Sequence, residues 1–192
     1  MAQVSAKCCR TVALSCLLSC AYIACDDTRA LPKADAAIGD DASLIWVDLV
    51  TGEGWTLTAD DSDPFIDQAA ERRRCSVTDY GEEYGGVEIS TTYCGYITLE
   101  QAITHDLQAG DVIEFILWHS PLVSDTPAQG LIAIQLGDSV LWSQPLTVPS
   151  EPKSWTDYVT IERPIGAGAM LYFHVHNHGS NAYTLLSAKR GR

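Results

Sequence analysis

Apolar and polar residues alternate in short runs along most of the chain, a period of two that fits half-buried β-strands. From Val87 onward these runs are divided by Gly, Pro, Asp and Ser. They predict strands at Val87–Thr98, Ala102–Leu107, Val112–Trp118, Leu131–Leu136, Val140–Ser143, Tyr158–Glu162, Met170–His176 and Tyr183–Ala188. Earlier, 43–50 is rich in β-formers, 51–54 (TGEG) is a turn, and 55–58 resumes a strand, which reads as a hairpin. Residues 80–86 (YGEEYGG) read as a turn-rich loop. Many short strands at this spacing predict an all-β fold, an antiparallel β-sandwich or jelly roll. One short helix is expected near 64–74. Asp63 can cap it, Pro64 suits its first position, and Phe65, Ile66, Ala69 and Ala70 share a face. Arg72, Arg73 and Arg74 would meet its negative end.

Two segments echo each other at an offset of 58 residues. Leu107 to His119 and Ile165 to Asn177 each begin with an Ala-Gly turn and continue with alternating apolar residues. Ile113, Phe115 and Leu117, and equally Leu171, Phe173 and Val175, are expected to face the core.

The first 25 residues break this pattern. Lys7 and Arg10 precede a mostly apolar run from Thr11 to Ala24. That is the layout of a secretory signal peptide, and the run is shorter than the roughly 20 residues that span a bilayer. Its end resembles the lipobox of bacterial lipoproteins, in which a cysteine after a small residue is acylated. Cys25 and Cys20 compete for this role: Leu17-Leu18-Ser19 matches the usual letters before Cys20, whereas Cys25 follows a fuller apolar length and precedes Asp26-Asp27. The resemblance implies an exported, membrane-anchored protein of the cell envelope. The plain alternative is cleavage without lipid. Residues 26–42, acidic and rich in small side chains, read as a flexible tether, and 43–192 as a single domain.

Charge and cysteine content sharpen this picture. Acidic residues number 25 and basic ones 12, a formal net charge of −13, which argues against nucleic acid as a partner. Five of seven cysteines lie in the first 25 residues. In an oxidising compartment the remaining pair, Cys75 and Cys94, is expected to form a disulfide, adding about 3 kcal/mol of stability.

The most distinctive run is Tyr172-Phe173-His174-Val175-His176-Asn177-His178. If Phe173 and Val175 face inward, Tyr172, His174, His176 and His178 face outward. Imidazoles two residues apart are spaced about 6.6 Å along a strand, close enough to share one zinc or copper ion. His178, or His119 from elsewhere, would then be a third ligand. Alternatively Tyr172, His174 and His176 join Trp118 and Glu114 on a neighbouring strand in a face for a glycan. Or the histidines simply serve the turn after them. Asp60, Asp61 and Asp63 form a candidate calcium loop, or a solvated loop in which Asp63 caps the helix. No cofactor is assured by these patterns. Motifs of nucleophilic, zinc-protease or phosphate-loop chemistry are missing, so an enzyme is not expected.

The Ala-Gly-Asp turn, the strand pattern and the closing run NHGSNAYTLL of 177–186 resemble galactose-binding-like β-sandwiches, which include many carbohydrate-binding modules. This resemblance implies a non-enzymatic binding module whose partner is a glycan or a surface protein. The remaining readings are a metal-binding domain and a purely structural envelope lipoprotein.

Overall fold

The computed structural model describes residues 44–69 and 73–192. The expected signal peptide and tether, with Cys20 and Cys25, lie outside the described residues, as do 70–72. Among the described residues eleven strands form two sheets, and every strand pairing is antiparallel. One sheet runs β3 (Tyr80–Glu83), β4 (Gly86–Ser90), β11 (Ala182–Gly191), β6 (Val112–His119), β9 (Lys153–Thr160), with β1 (Trp46–Asp48) also on β11. The other runs β2 (Thr56–Leu57), β5 (Tyr96–Ala102), β10 (Met170–His176), β7 (Ala128–Leu136), β8 (Ser139–Val148). This is the expected β-sandwich. Among the described residues no helix is long and apolar enough to cross a membrane.

The two echoing segments supply the centre of the core from opposite sheets. Ile113, Phe115 and Leu117 on β6, and Leu171, Phe173 and Val175 on β10, are all essentially inaccessible. Burying each such side chain contributes about 1.5–3 kcal/mol. Both strands start after a glycine in the left-handed region, Gly110 at φ 94° and Gly168 at φ 88°, where a Cβ would be strained. Just before these turns the chains touch: Leu107 and Ile165 exchange backbone hydrogen bonds of 2.8 and 3.0 Å. The echo is therefore a real structural correspondence, one strand for each layer.

Several local expectations need correction. The hairpin across 51–54 does not form. β1 pairs with β11 and β2 with β5, in different sheets. Leu49, Val50 and Trp55 are buried where the chain passes between layers, and Trp55 Nε1 donates to Thr51 O at 2.9 Å. Alternation in two short segments is satisfied equally well by separate partners. The expected strand over Val87–Thr98 is likewise divided into β4 and β5, one in each sheet, with 91–95 as the crossing. Of Ala102–Leu107 only Ala102 is in a strand; the rest is loop. Conversely, Tyr80–Glu83 is a strand, turned onto β4 through Tyr84 and Gly85, both at positive φ (53° and 81°), the signature of a tight hairpin turn.

The helix near 64–74 is reduced, among the described residues, to one 3-10 turn, Ile66–Gln68. Asp63 Oδ1 does accept from Phe65 N at 2.9 Å, as a cap would. Its other oxygen, however, takes the Tyr96 hydroxyl at 2.6 Å. From Arg74 on the chain is already extended, because Arg74 bridges to Tyr96 and Cys75 N donates to Tyr96 O at 2.9 Å. That return to β5 brings Cys75 to Cys94, and the expected disulfide forms.

Candidate functional site

The histidine run lies on β10, and its alternation is as expected: Leu171, Phe173 and Val175 point into the core. His174 consequently projects from the outer face of the five-stranded sheet. It is nevertheless 0% exposed, because segment 58–69 lies over it. Phe65 stacks on its ring at 4.2 Å and 11°, and Tyr96 meets it edge-on at 5.1 Å. Its Nδ1 is 2.9 Å from Thr98 Oγ1 and its Nε2 is 3.3 Å from Gln68 Oε1. Both ring nitrogens thus have a polar neighbour within hydrogen-bond distance. Burial, then repulsion by His176, pushes the His174 pKa down to about 3. His174 is a neutral, satisfied, covered side chain, which removes it from the expected open ligand face.

The four histidines do not converge. His176 stacks on His178 at 5.7 Å toward the end of the sandwich. His119 belongs to the other sheet and faces inward, registered with Tyr183. It is buried against Trp155 and Tyr183, its Nδ1 donates to Ser120 O at 2.6 Å, and burial lowers its pKa. His119 cannot complete a site on the outer face of the opposite sheet. The calcium loop is also preempted. Arg74 is ion-paired with Asp60 and lies 3.9 Å from Asp63, so the loop's carboxylates already hold a cation from their own chain. Asp61 remains exposed beside them.

Trp118 and Glu114 are outward as expected, but from β6, on the outer face of the six-stranded sheet. The expected composite face is thus split between the two sides of the sandwich, with Tyr172 and His176 left on one and Trp118 and Glu114 on the other. Glu114 accepts from the Tyr158 phenol, which raises the tyrosine's pKa. Trp46 lies 6.3 Å from Tyr158. Its indole rests on Gly191, where a Cβ would come within 2.9 Å of the ring. This side is open: Trp46 is 36% and Tyr158 42% exposed.

A cleft of about 760 Å³ lies at an end of the sandwich between loops 91–95, 123–126 and 177–180, with Arg73 on its wall. A buried polar network fixes these loops. Asn177, Thr91, Asn181 and Tyr183 are all 5% exposed or less. Asn177 Nδ2 donates to Thr91 Oγ1, and the Tyr183 hydroxyl donates to Asn177 Oδ1. Asn181 Nδ2 donates to Asn177 Oδ1 at 3.0 Å, while Val123 N donates to Asn181 Oδ1 at 2.6 Å. Gly179 adopts φ 89°, and a Cβ there would collide with Val123 O. Each buried amide is satisfied, so the network rigidifies the cleft. Its lining carries several Ser and Thr hydroxyls and one side-chain amide, Asn177, with Tyr93, 73% exposed, as an aromatic rim and Arg73, Asp125 and His178 as charged or titratable groups. Of the histidine run, only His178 lines it. The closing run NHGSNAYTLL contains the two asparagines, but sequence reasoning assigned them no role in a site, and nothing local signalled Thr91 or Tyr93.

No family model matches the sequence, and no curated protein does. Among solved structures the chain is similar to a CBM4 module, at 16% identity over 74% of this chain and 97% of that one, with a TM-score of 0.40. It is also similar to TmCBM27, a carbohydrate-binding module described for specific mannan recognition (9% identity, 78% and 96% covered, TM-score 0.44). A third is the C-terminal CBM6 of the marine laminarinase LamC from Zobellia galactanivorans (10% identity, 77% and 98% covered, TM-score 0.38). These neighbours are carbohydrate-binding modules; at such identities and scores the likeness carries nothing about ligand or binding residues.

Proposed function

We propose that this protein is a non-catalytic binding module of the cell envelope that holds a saccharide in the end cleft. The observation that carries this reading is the cleft itself: large enough for one or two sugar rings, lined in part by hydroxyls and the Asn177 amide, and held in place by the Thr91–Asn177–Asn181–Tyr183 network. Sugar hydroxyls exchange water for such groups with little loss, and the apolar face of a pyranose stacks on an aromatic ring such as Tyr93. Arg73, Asp125 and His178 supply further donors and acceptors. Export through residues 1–25, acylation at Cys25 with Cys20 as the alternative, and a tether over 26–42 belong to the same proposal, and would display the cleft outside the membrane.

Two measurements test it. Calorimetric titration with envelope polysaccharide fragments should give saturable binding that Tyr93→Ala weakens by about tenfold, the worth of one stacking contact. Absence of binding across neutral, acidic and amino-sugar polymers would overturn the saccharide reading. Mass spectrometry of the mature N-terminal peptide should find a diacylglyceryl group on Cys25; an unmodified N-terminus would overturn the anchor and leave the cleft untouched.

A further inference from the structure

A strand at the edge of a sheet presents unpaired backbone groups along one side, and proteins blunt such edges. Most edges here are blunted. β1, β2 and β3 have only three, two and four residues, and β3 carries Glu82 and Glu83. β8 is long, but Pro145 interrupts its donors and its register with β7 shifts at Ile134/Gln135. β9 has none of these devices. Its eight residues contain no proline and run along β6 without a shift, and among the described residues it pairs with no other strand.

The open side of β9 can be read from its hydrogen bonds. Ile161 N, just beyond the strand, donates to Asp111 O on the β6 side at 2.8 Å. Tyr158 N donates instead to a side chain of its own strand, Asp157 Oδ1, at 2.9 Å. Backbone groups of successive residues alternate between the two sides of a strand. Ser154 and Thr156 therefore turn their N–H and C=O outward with Tyr158. Pro152, at the same alternation, has no N–H. The donors on offer are those of Ser154 and Thr156, bounded by a residue without an N–H and by an N–H already taken. Between them, Lys153, Trp155 and Asp157 share the other side-chain direction, opposite His119, Leu117 and Phe115. Lys153 is exposed and its ammonium lies 5.0 Å from the Trp155 ring centre; Trp155 and Asp157 are half-buried. Cation, aromatic ring and anion thus stand in a row at two-residue spacing, an order that complements itself when reversed.

We propose that β9 pairs antiparallel with β9 of a second copy of this chain, centred on Trp155. Ser154 exchanges both backbone hydrogen bonds with Thr156 of the partner subunit, and Thr156 does the same with the partner's Ser154. Trp155 meets its own counterpart at a position without hydrogen bonds, where Cα atoms are about 4.5 Å apart and side chains are closest. Lys153 faces the partner's Asp157 and the reverse, so the two-fold axis makes two ion pairs. Pro152 faces the partner's Tyr158, so the two positions with no N–H to exchange fall opposite each other. A slip of two residues sets Lys153 against Trp155 or Val159 and loses both ion pairs. No residue of β9 lines the end cleft, so this pairing is independent of the saccharide reading.

The test is sedimentation equilibrium of the full chain in a density-matched detergent, its free thiols alkylated, up to about 0.1 mM, because an edge contact buries little surface. The wild type is expected to show a monomer–dimer equilibrium. Lys153→Asp and Asp157→Lys each set like charges opposite one another twice, and each should weaken the dimer about tenfold or more. Combining the two reversals should restore it. Thr156→Pro removes an outward N–H, which an edge strand tolerates. It should abolish the dimer while the chain melts as the wild type does. A wild type that stays monomeric over this range overturns the proposal, and so does a dimer indifferent to either single reversal or to Thr156→Pro. A combined variant that remains monomeric overturns the Trp155-centred register and the proposal with it.

Discussion

The two outer faces of the sandwich carry similar side chains and have opposite fates. On the six-stranded sheet, Trp46, Glu114, Trp118 and Tyr158 meet solvent to varying degrees. On the five-stranded sheet, His174 is sealed under Phe65 and Gln68 although it occupies an equivalent outward position. Strand period decides the side from which a residue projects. It does not decide whether water reaches that side, which depends on a segment about a hundred residues away in sequence. Segment 58–69 lies there because Asp63 is bonded to Tyr96 and Arg74 to Asp60, and because Cys75 is tied to Cys94.

The largest expected effect on this contrast is a pH dependence that only the covered face can produce. His174 titrates near 3 when folded and near 6.5 when unfolded. Below pH 6.5 the unfolded chain takes up a proton that the folded chain refuses. The stability this residue confers is therefore complete above about pH 6.5 and is lost as pH falls toward 3. Between pH 7 and pH 4 the loss is about 3 kcal/mol. Urea unfolding at the two pH values should show this loss in the wild type and a correspondingly smaller one in His174→Gln. Equal losses in both proteins would mean that His174 is solvated, and the contrast between the faces would collapse.

Next in size is the cover itself. Phe65, 8% exposed, joins Tyr96 and Ala133 in a small cluster of its own beside the main core. Phe65→Ala should cost about 3 kcal/mol and move the His174 pKa up toward 6.5, as read by NMR titration of the ring. Trp46→Ala on the open face should cost only about 1 kcal/mol and leave the His174 titration in place. A Trp46→Ala protein as unstable as Phe65→Ala would show that the open face is packed against something.

How far the sequence revealed these features follows from which interactions are local. Strands β6, β10 and β11 were legible because their alternation is long and one side of each is fully buried. The pairing of Cys75 with Cys94 followed from the cysteine count. Sheet membership was not legible: β1 and β2, separated by a good turn, went to different sheets, and Val87–Thr98 crossed between layers at 91–95. Strand β3 was hidden because glycines and glutamates on an edge strand need no apolar side. The candidate cleft was not legible, and of the expected site residues only His178 lines it. Asn177 and Asn181 lay in the closing run only as part of a fold resemblance, and Thr91, Tyr93 and Asp125 reach the cleft from two distant loops whose own residues look like ordinary turns. The open aromatic pair was missed for the same reason, since Trp46 and Tyr158 meet only through β11 and β6.

The smallest expected effect isolates the open face. At Gly191 a Cβ would stand 2.9 Å from Cη2 and Cζ3 of Trp46 and 3.2 Å from Cε3. Gly191 is not among the glycines with positive φ, so alanine there brings no backbone strain, and the crowded atoms belong to the far side of a ring that can tilt outward. Gly191→Ala should thus change stability by less than about 0.5 kcal/mol while lifting the indole off the sheet. The difference in fluorescence between this variant and its Trp46→Phe counterpart should show a red-shifted, more readily quenched Trp46. The slope of stability with pH should stay that of the wild type, because the His174 enclosure lies on the other side of the core and shares no partner with Gly191. A change in that slope would mean that the two faces are coupled through the core, and that the cover over His174 answers to what happens on the open side.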